Sequence, residues 1–167
     1  MTPEIFTMIE IKKAFQNLTP EEFSQLLDSP VWISLAAAYA GDGVVGEDEK
    51  AEAIKLAHLR RFTAPKSLRE FYELVDMQFA QRFHILDLRL PSSAKDKEIY
   101  IERQLNRVHD IMLKLDPDVT SSLEESLESF YEHVFNSHKS FFQYFALPII
   151  SNRLDKKSGH FRFSDDK

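Results

Sequence analysis

The residues whose types and spacing could support chemistry lie in one glycine-rich turn followed by an acidic helix start. Asp42, Gly43, Val45 and Glu49 stand there at the offsets of the second half of a calcium-binding helix–loop–helix motif. In that motif the glycine permits a sharp turn, and carboxylate oxygens converge on a hard cation. The spacing therefore predicts a divalent cation site in which Asp42 and Glu49 are ligands.

Two positions of this turn depart from a complete calcium loop. The first two ligand positions would be Ala38 and Ala40, whose side chains carry no oxygen. A cation held at the turn would need further oxygens from another segment or from water. The alternative interpretation is a glycine turn followed by an acidic helix N-terminus, because the positive end of a helix dipole favours carboxylates.

The alanine-rich stretch from Ala36 to Val45, together with Glu49 and the charged helix that follows, resembles the tellurite-resistance TerB-like family. This resemblance implies an all-helical bundle with pseudo-repeated halves and a stress-related or scaffolding role. It also implies a divalent metal ion bound by acidic residues at two turns, with Asp42 and Glu49 inheriting the metal role in the first.

A second turn, beginning at Asp116, is the candidate counterpart in the other half. Its alignment with Asp42 places Pro117 at the glycine position and Leu123 at the glutamate position. These departures remove the family signature from the second half, although Asp116 and Asp118 could still supply oxygens. The metal hypothesis is that one divalent cation ties Asp42 and Glu49 to these carboxylates of the second half. The competing interpretation is a helix-capping Asp-Pro-Asp turn with no metal.

One histidine pattern points to an enzyme. His109-Asp110 resembles the paired motif of HD-domain phosphohydrolases, and His84 and Asp155 could complete the metal-binding set. Two features count against this alternative. Asp110 is expected to face solvent, opposite the apolar stripe of its helix, and Met112 replaces a glycine common after the motif.

The aromatic run near the C-terminus favours packing or a protein interaction. Phe141 and Phe145 continue an apolar helical stripe, whereas Phe142 and Tyr144 point elsewhere and could contact a partner. A pure interaction module is therefore a third hypothesis. The opposite face of the preceding helix carries four carboxylates that we expect to be solvated: Glu124, Glu125, Glu128 and Glu132.

Helical periodicity predicts an all-α, compact bundle of about seven helices. They are expected over 4–17, 20–27, 31–40, 47–62, 68–90, 94–115 and from about 121 to before Pro148. The 31–40 helix is apolar on all sides, which is typical of a buried central helix. Capping boxes are expected at three helix starts: Thr19 with Glu22, Ser67 with Glu70, and Ser121 with Glu124.

Composition restricts the function classes further. The 167 residues predict one domain over 1–154 and a polar tail over 155–167, and the formal charge of −6 argues against nucleic acid binding. There is no cysteine, which excludes disulfides and thiolate metal sites. No secretory signal or integral membrane segment is expected, so the predicted location is cytoplasmic. The sequence is compatible with a protein partner or with a homo-oligomer.

Overall fold

The computed structural model describes residues 13–40 and 45–135, and these residues form helices joined by short turns, without a strand. The prediction of an all-α fold is confirmed. Within the described residues we number six α-helices: α1 (Pro20–Leu27), α2 (Ser29–Ala40), α3 (Glu47–Thr63), α4 (Arg69–Leu88), α5 (Ala94–Met112) and α6 (Pro117–Phe135). A 3-10 turn, Lys66–Leu68, precedes α4. Residues 13–15 are also helical, whereas the rest of the helix predicted over 4–17 lies outside the described residues.

Helix α2 lies at the centre of the bundle, as its composition predicts. It contacts every other numbered helix, and its side chains from Ser29 to Ala38 are all buried. The two buried serines donate to backbone carbonyls, Ser29 to Leu26 at 2.6 Å and Ser34 to Pro30 at 2.7 Å. Their hydroxyls are therefore satisfied within the apolar centre, which avoids the penalty of an unpaired buried polar group.

Helices α3 and α4 form an antiparallel hairpin. Lys50 at the start of α3 lies over the ring of Phe83 near the end of α4, and Arg61 at the end of α3 pairs with Asp76. Tyr39 at the end of α2 donates to Asp87 at 2.6 Å. The end of α2, the start of α3 and the end of α4 therefore lie at one end of the bundle, which we call the α2–α3 end.

Helices α5 and α6 reach the opposite end. Lys97 in the first turn of α5 lies 4.5 Å from the ring centre of Tyr39, so α5 starts near the α2–α3 end. Its 19 residues span about 28 Å at ~1.5 Å per residue. Tyr72 contacts Ser126, and Phe79 packs on Phe130, so α6 runs in the same direction as α4. The turn between α5 and α6 consequently lies at the far end of the bundle.

Local start signals are partly confirmed. Thr19 caps α1 through the backbone N–H of Glu22, and the Glu22 carboxylate accepts from the N–H of Thr19 at 3.0 Å, which completes the expected capping box. Ser93 caps α5 in a similar way, accepting from the N–H of Asp96 at 3.1 Å. These caps satisfy donors that a helix start otherwise leaves unpaired.

Two other expected capping boxes are wrong. Ser67 lies within the 3-10 turn, and α4 follows Leu68, which has no side-chain cap and is fully buried. Burial of Leu68, rather than a side-chain cap, therefore positions the start of α4. Helix α6 begins at Pro117, ahead of the predicted start at Ser121, because Pro117 suits the first helical position.

Candidate functional site

Glu49 is the only predicted metal ligand of the first turn that the structure describes, since Asp42 lies outside the described residues. Glu49 is half-buried in the first turn of α3. Its carboxylate folds back over Gly46, so that a Cβ added to Gly46 would collide with Oε2 of Glu49. The Glu49 carboxylate is therefore directed toward the glycine turn rather than along the helix.

Asp116 and Asp118 are exposed at the start of α6. The backbone N–H of Thr120 donates to the Asp116 carbonyl at 2.9 Å, the first bond of the helix, which places Asp116 at the N-cap position. Because this turn is at the far end of the bundle, the structure does not bring Asp116 or Asp118 to Glu49. Among residues 13–40 and 45–135, no three histidine or carboxylate side chains are grouped to hold a metal ion.

The residues of the HD-type hypothesis are also separated. His84 is exposed next to Phe83, toward the α2–α3 end, whereas His109 lies in the last turn of α5 at the far end. Asp110 is exposed, as its helical phase predicts, and Asp155 lies outside the described residues. The described geometry therefore gives no shared site for His84, His109 and Asp110.

A different cluster stands out on the α3–α4 hairpin, and we call it the Phe62 surface: His58, Leu59, Arg61, Phe62 and Asp76. The Phe62 side chain is 63% exposed, although phenylalanine is usually buried. The Arg61 guanidinium lies 4.9 Å from the Phe62 ring centre, and the His58 ring meets it edge-on at 5.5 Å. Phe62 is therefore exposed to solvent while being supported on two sides.

Asp76 fixes both of these supports. Nη1 of Arg61 donates to Oδ2 of Asp76 at 3.1 Å, and Nδ1 of His58 donates to the same oxygen at 3.0 Å. The Asp76 side chain is only 15% exposed, so these bonds are better shielded from water than ordinary surface pairs. One carboxylate on α4 thus orients two side chains of α3 around Phe62.

Two polar contacts, one of them fully buried, anchor this end of the hairpin to α6. Nη2 of Arg60 donates to Ser129 at 2.5 Å, and Tyr72 shares a 2.6 Å hydrogen bond with Ser126. Burial raises the pKa of Tyr72 to about 12, although the bond to Ser126 and the positive charge of Arg60 act in the opposite direction. The Phe62 surface therefore rests on a fixed base rather than on a loose helix end.

On helix α6, the burial of one side chain differs from the expectation from the sequence. Glu128 is 3% exposed, so the expectation that it belongs to a solvated acidic face is wrong. Glu125 and Glu132 are exposed as expected, and Glu124 is half-buried. Glu128 precedes Ser129, which binds Arg60 of α3, and the packing of the bundle removes its side chain from solvent.

A groove of about 300 Å³ separates α1 from α4. Across it, Nη1 of Arg82 donates to Asp28 at 2.5 Å and also reaches the backbone carbonyl of Ser24 at 3.1 Å. Burial raises the pKa of Asp28, against the lowering effect of Arg82. The pair joins α1 to α4, and we assign the groove a structural role.

Sequence reasoning missed the Phe62 surface. The buried stripe of α3 consists of Ala53, Leu56 and Ala57, and Phe62 lies on a different face, so its large apolar side chain near the helix end was an available signal. Phe62 stands at the predicted end of the 47–62 helix, and the end of a helix gives no reason by itself to expect a binding surface. Met77, on the outer face of α4 beside Asp76, is 76% exposed and adds apolar area nearby.

Comparison of the chain with known proteins identifies no family or relative: no family model, no curated protein and no solved structure matches it. In the part of the chain that the structure describes, no helix is long and apolar enough to cross a membrane. The aromatic residues Phe142 and Tyr144 lie outside that part, so their role in a partner interaction stays a prediction.

Proposed function

We propose that this chain is a helical protein-binding domain that uses the Phe62 surface to hold a segment of another protein. The observation that carries the proposal is an exposed phenylalanine supported by Arg61 and His58, both of which are tied to Asp76. Isolated exposed apolar residues are common on protein surfaces. An exposed aromatic ring oriented by a bonded framework is more typical of a binding anchor.

The framework favours binding because less freedom is lost when a partner docks. Association is opposed by the ordering of side chains, at about 0.5–1.5 kcal/mol for each flexible side chain that becomes immobilised. Arg61 and His58 restrict the ring of Phe62 before a partner arrives, and Arg60 and Tyr72 hold the helices beneath it. Phe62 therefore provides apolar contact area at a low entropic cost.

The proposal is tested by selecting peptides from a random display library against the purified full chain and measuring their affinities by fluorescence anisotropy. Phe62→Ala should weaken binding by at least ~30-fold, which corresponds to about 2 kcal/mol for a binding anchor. Leu88→Ala is the matched control, because Leu88 is 72% exposed but lies at the end of α4, at the α2–α3 end of the bundle, whereas Phe62 lies near the opposite end.

The control should bind the selected peptides as the unmodified chain does. Circular dichroism and thermal unfolding of Phe62→Ala should match the unmodified chain, since the exposed ring contributes little to the core. If no selected peptide distinguishes Phe62→Ala from Leu88→Ala, the proposed binding function is wrong.

A second candidate function is divalent metal binding at the glycine turn, in the cytoplasmic, stress-related role that the TerB-like resemblance with its pseudo-repeated halves implies. What supports it is the Glu49 carboxylate, which folds back over Gly46 toward that turn. Asp42 and Glu49 would supply the ligands together with water. Asp116 and Asp118, at the far end of the bundle, would not be ligands of this site.

Calorimetry with calcium, magnesium, manganese and zinc salts tests this second proposal. Binding should be lost in the Asp42→Ala/Glu49→Ala double variant and kept in Asp116→Ala/Asp118→Ala if the glycine turn holds the ion. Equal binding by the unmodified chain and the Asp42→Ala/Glu49→Ala variant, or no binding at all, would reject it.

A further inference from the structure

We infer that the segment bound by the Phe62 surface is acidic, with carboxylates on either side of an apolar residue that packs on Phe62. This inference rests on the proposed binding function and adds the chemical class of the partner. It starts from an uneven distribution of charge. Residues 53–69 contain five cationic side chains and no carboxylate, within a chain whose formal charge is −6.

Intramolecular contacts account for three of these cations. Arg60 donates to Ser129, Arg61 pairs with Asp76, and Lys55 lies 3.9 Å from Glu52. Arg60 and Arg61 also occupy the last turn of α3, where positive charge complements the negative end of the helix dipole. Helix stability therefore explains their positions without a ligand.

Lys66 and Arg69 have no such explanation. Both side chains are exposed, and neither forms an ion pair or hydrogen bond with the residues that the structure describes. Lys66 begins the 3-10 turn and Arg69 is the first residue of α4. A cation at the start of a helix opposes the helix dipole, so this placement is unfavourable for the isolated fold.

The two cations are close to the apolar anchor in the chain. Only Thr63, Ala64 and Pro65 separate Phe62 from Lys66, and Ala64 and Leu68 are buried, which keeps the connection against the core. An exposed aromatic ring is thus followed closely in the chain by two exposed cations that form no ion pair with the described residues. The complementary ligand has an apolar side chain and nearby carboxylates, which accept charge-assisted hydrogen bonds from lysine and arginine.

An acidic protein segment suits this surface better than an anionic membrane. Lipid headgroups attract clusters of several basic residues, at about 1 kcal/mol for each lysine or arginine near the surface. Next to Phe62, within the described residues, two exposed cations lack an ion pair, Lys66 and Arg69, while the chain as a whole carries a charge of −6 that an anionic bilayer repels. A short segment that contacts only this end avoids that repulsion.

The test uses the peptides that bind the full chain in a Phe62-dependent manner. These peptides should be rich in aspartate and glutamate, and their affinity should fall as salt is added. The Lys66→Glu/Arg69→Glu variant should bind them at least tenfold more weakly. Peptides in which every acidic residue is replaced by lysine should bind this variant better than they bind the unmodified chain.

A matched control is Lys95→Glu/Arg103→Glu, which removes one lysine and one arginine from α5 and makes the same change in net charge. It should weaken binding by less than about twofold, because exposed charges beyond a Debye length of ~8–10 Å are largely screened. An equal loss in the two double variants would show a general charge effect and would overturn the inference.

The remaining outcomes separate this inference from the proposed function. If the Phe62-dependent peptides are neutral or basic, the inference of an acidic partner is wrong, whereas the proposed binding function is supported. An absence of Phe62-dependent peptides would reject both. If the chain sediments with phosphatidylserine vesicles and Lys66→Glu/Arg69→Glu does not, the surface binds a membrane and the inference of an acidic segment is overturned. Self-association that analytical ultracentrifugation shows to depend on Phe62 would also overturn it.

Discussion

The guanidinium of Arg61 lies 4.9 Å from the centre of the Phe62 ring, although the two residues are neighbours in the chain and Phe62 faces solvent. Their contact depends on Asp76 from α4, which holds the guanidinium by a 3.1 Å hydrogen bond. A cation–π contact at an exposed site contributes only about 0.5–1 kcal/mol. Its main consequence is therefore the orientation of Phe62 rather than the stability of the fold.

Replacing Asp76 should weaken binding without removing the anchor itself. In Asp76→Ala, Arg61 and His58 lose their common partner, so Phe62 becomes more mobile and must be ordered when a peptide binds. We expect the affinity for Phe62-dependent peptides to fall roughly tenfold, close to the loss from immobilising one side chain. Fluorescence anisotropy measures it, with Glu73→Ala, one turn earlier in α4, as the control.

The stability of Asp76→Ala in urea should fall by no more than about 1 kcal/mol, since its partners are partly exposed. Unchanged affinity in this variant would show that Asp76 does not orient the Phe62 surface.

Tyr72 should make stability fall in alkaline solution. Its pKa is raised to about 12 in the folded chain, mainly by burial, whereas an unfolded tyrosine ionises near pH ~10. The unfolded chain thus loses this proton first. Tyr72 therefore makes its full contribution to the free energy of unfolding below about pH 10. Above that pH the contribution falls by about 1.4 kcal/mol per pH unit until Tyr72 of the folded chain also ionises.

Urea unfolding of the unmodified chain and of Tyr72→Phe between pH 8 and pH 12 measures this contribution. The stability of the unmodified chain relative to Tyr72→Phe should decrease above about pH 10. Tyr100→Phe is the control, because the Tyr100 side chain is only partly buried against Trp32. A difference between the unmodified chain and Tyr72→Phe that does not vary with pH would contradict the assignment.

The central position of α2 predicts a large effect from a small deletion there. Leu35 is fully buried, so Leu35→Ala should destabilise the fold by about 2–5 kcal/mol through lost apolar contacts and a cavity. Leu88→Ala removes the same atoms from a side chain that is largely exposed on α4, and its effect should stay within about 0.5 kcal/mol. Chemical denaturation of both variants tests this, and similar losses would argue against α2 as the centre.

Much of the fold could be predicted because the pattern of apolar residues in several helices shows which of their faces are buried. Helix α2 is apolar on every side, which only a central position accommodates. Helix α5 places Ile101, Leu105 and Val108 at spacings of three and four, and all three are buried. In these helices the hydrophobic effect and helical periodicity determine the buried face without knowledge of the neighbours.

The environments of Glu128 and Phe62 could not be predicted in this way, because each depends on how separate helices pack together. Glu128 is buried in the packed bundle, and the next residue, Ser129, binds Arg60 of α3. Phe62 stays exposed, and its support comes through a carboxylate on α4. The metal hypothesis joined Glu49 with Asp116 because the sequence contains no information on the distance between the two ends of the bundle.

The most direct test of the central claim is a nuclear magnetic resonance titration of the isotopically labelled full chain with a peptide from the selection. If the Phe62 surface holds the peptide, the largest amide shift changes will fall on residues 58–69 and around Asp76, and amides near Leu88 at the α2–α3 end will not respond. Shift changes concentrated elsewhere, with residues 58–69 unaffected, would contradict the claim that the Phe62 surface is the binding site.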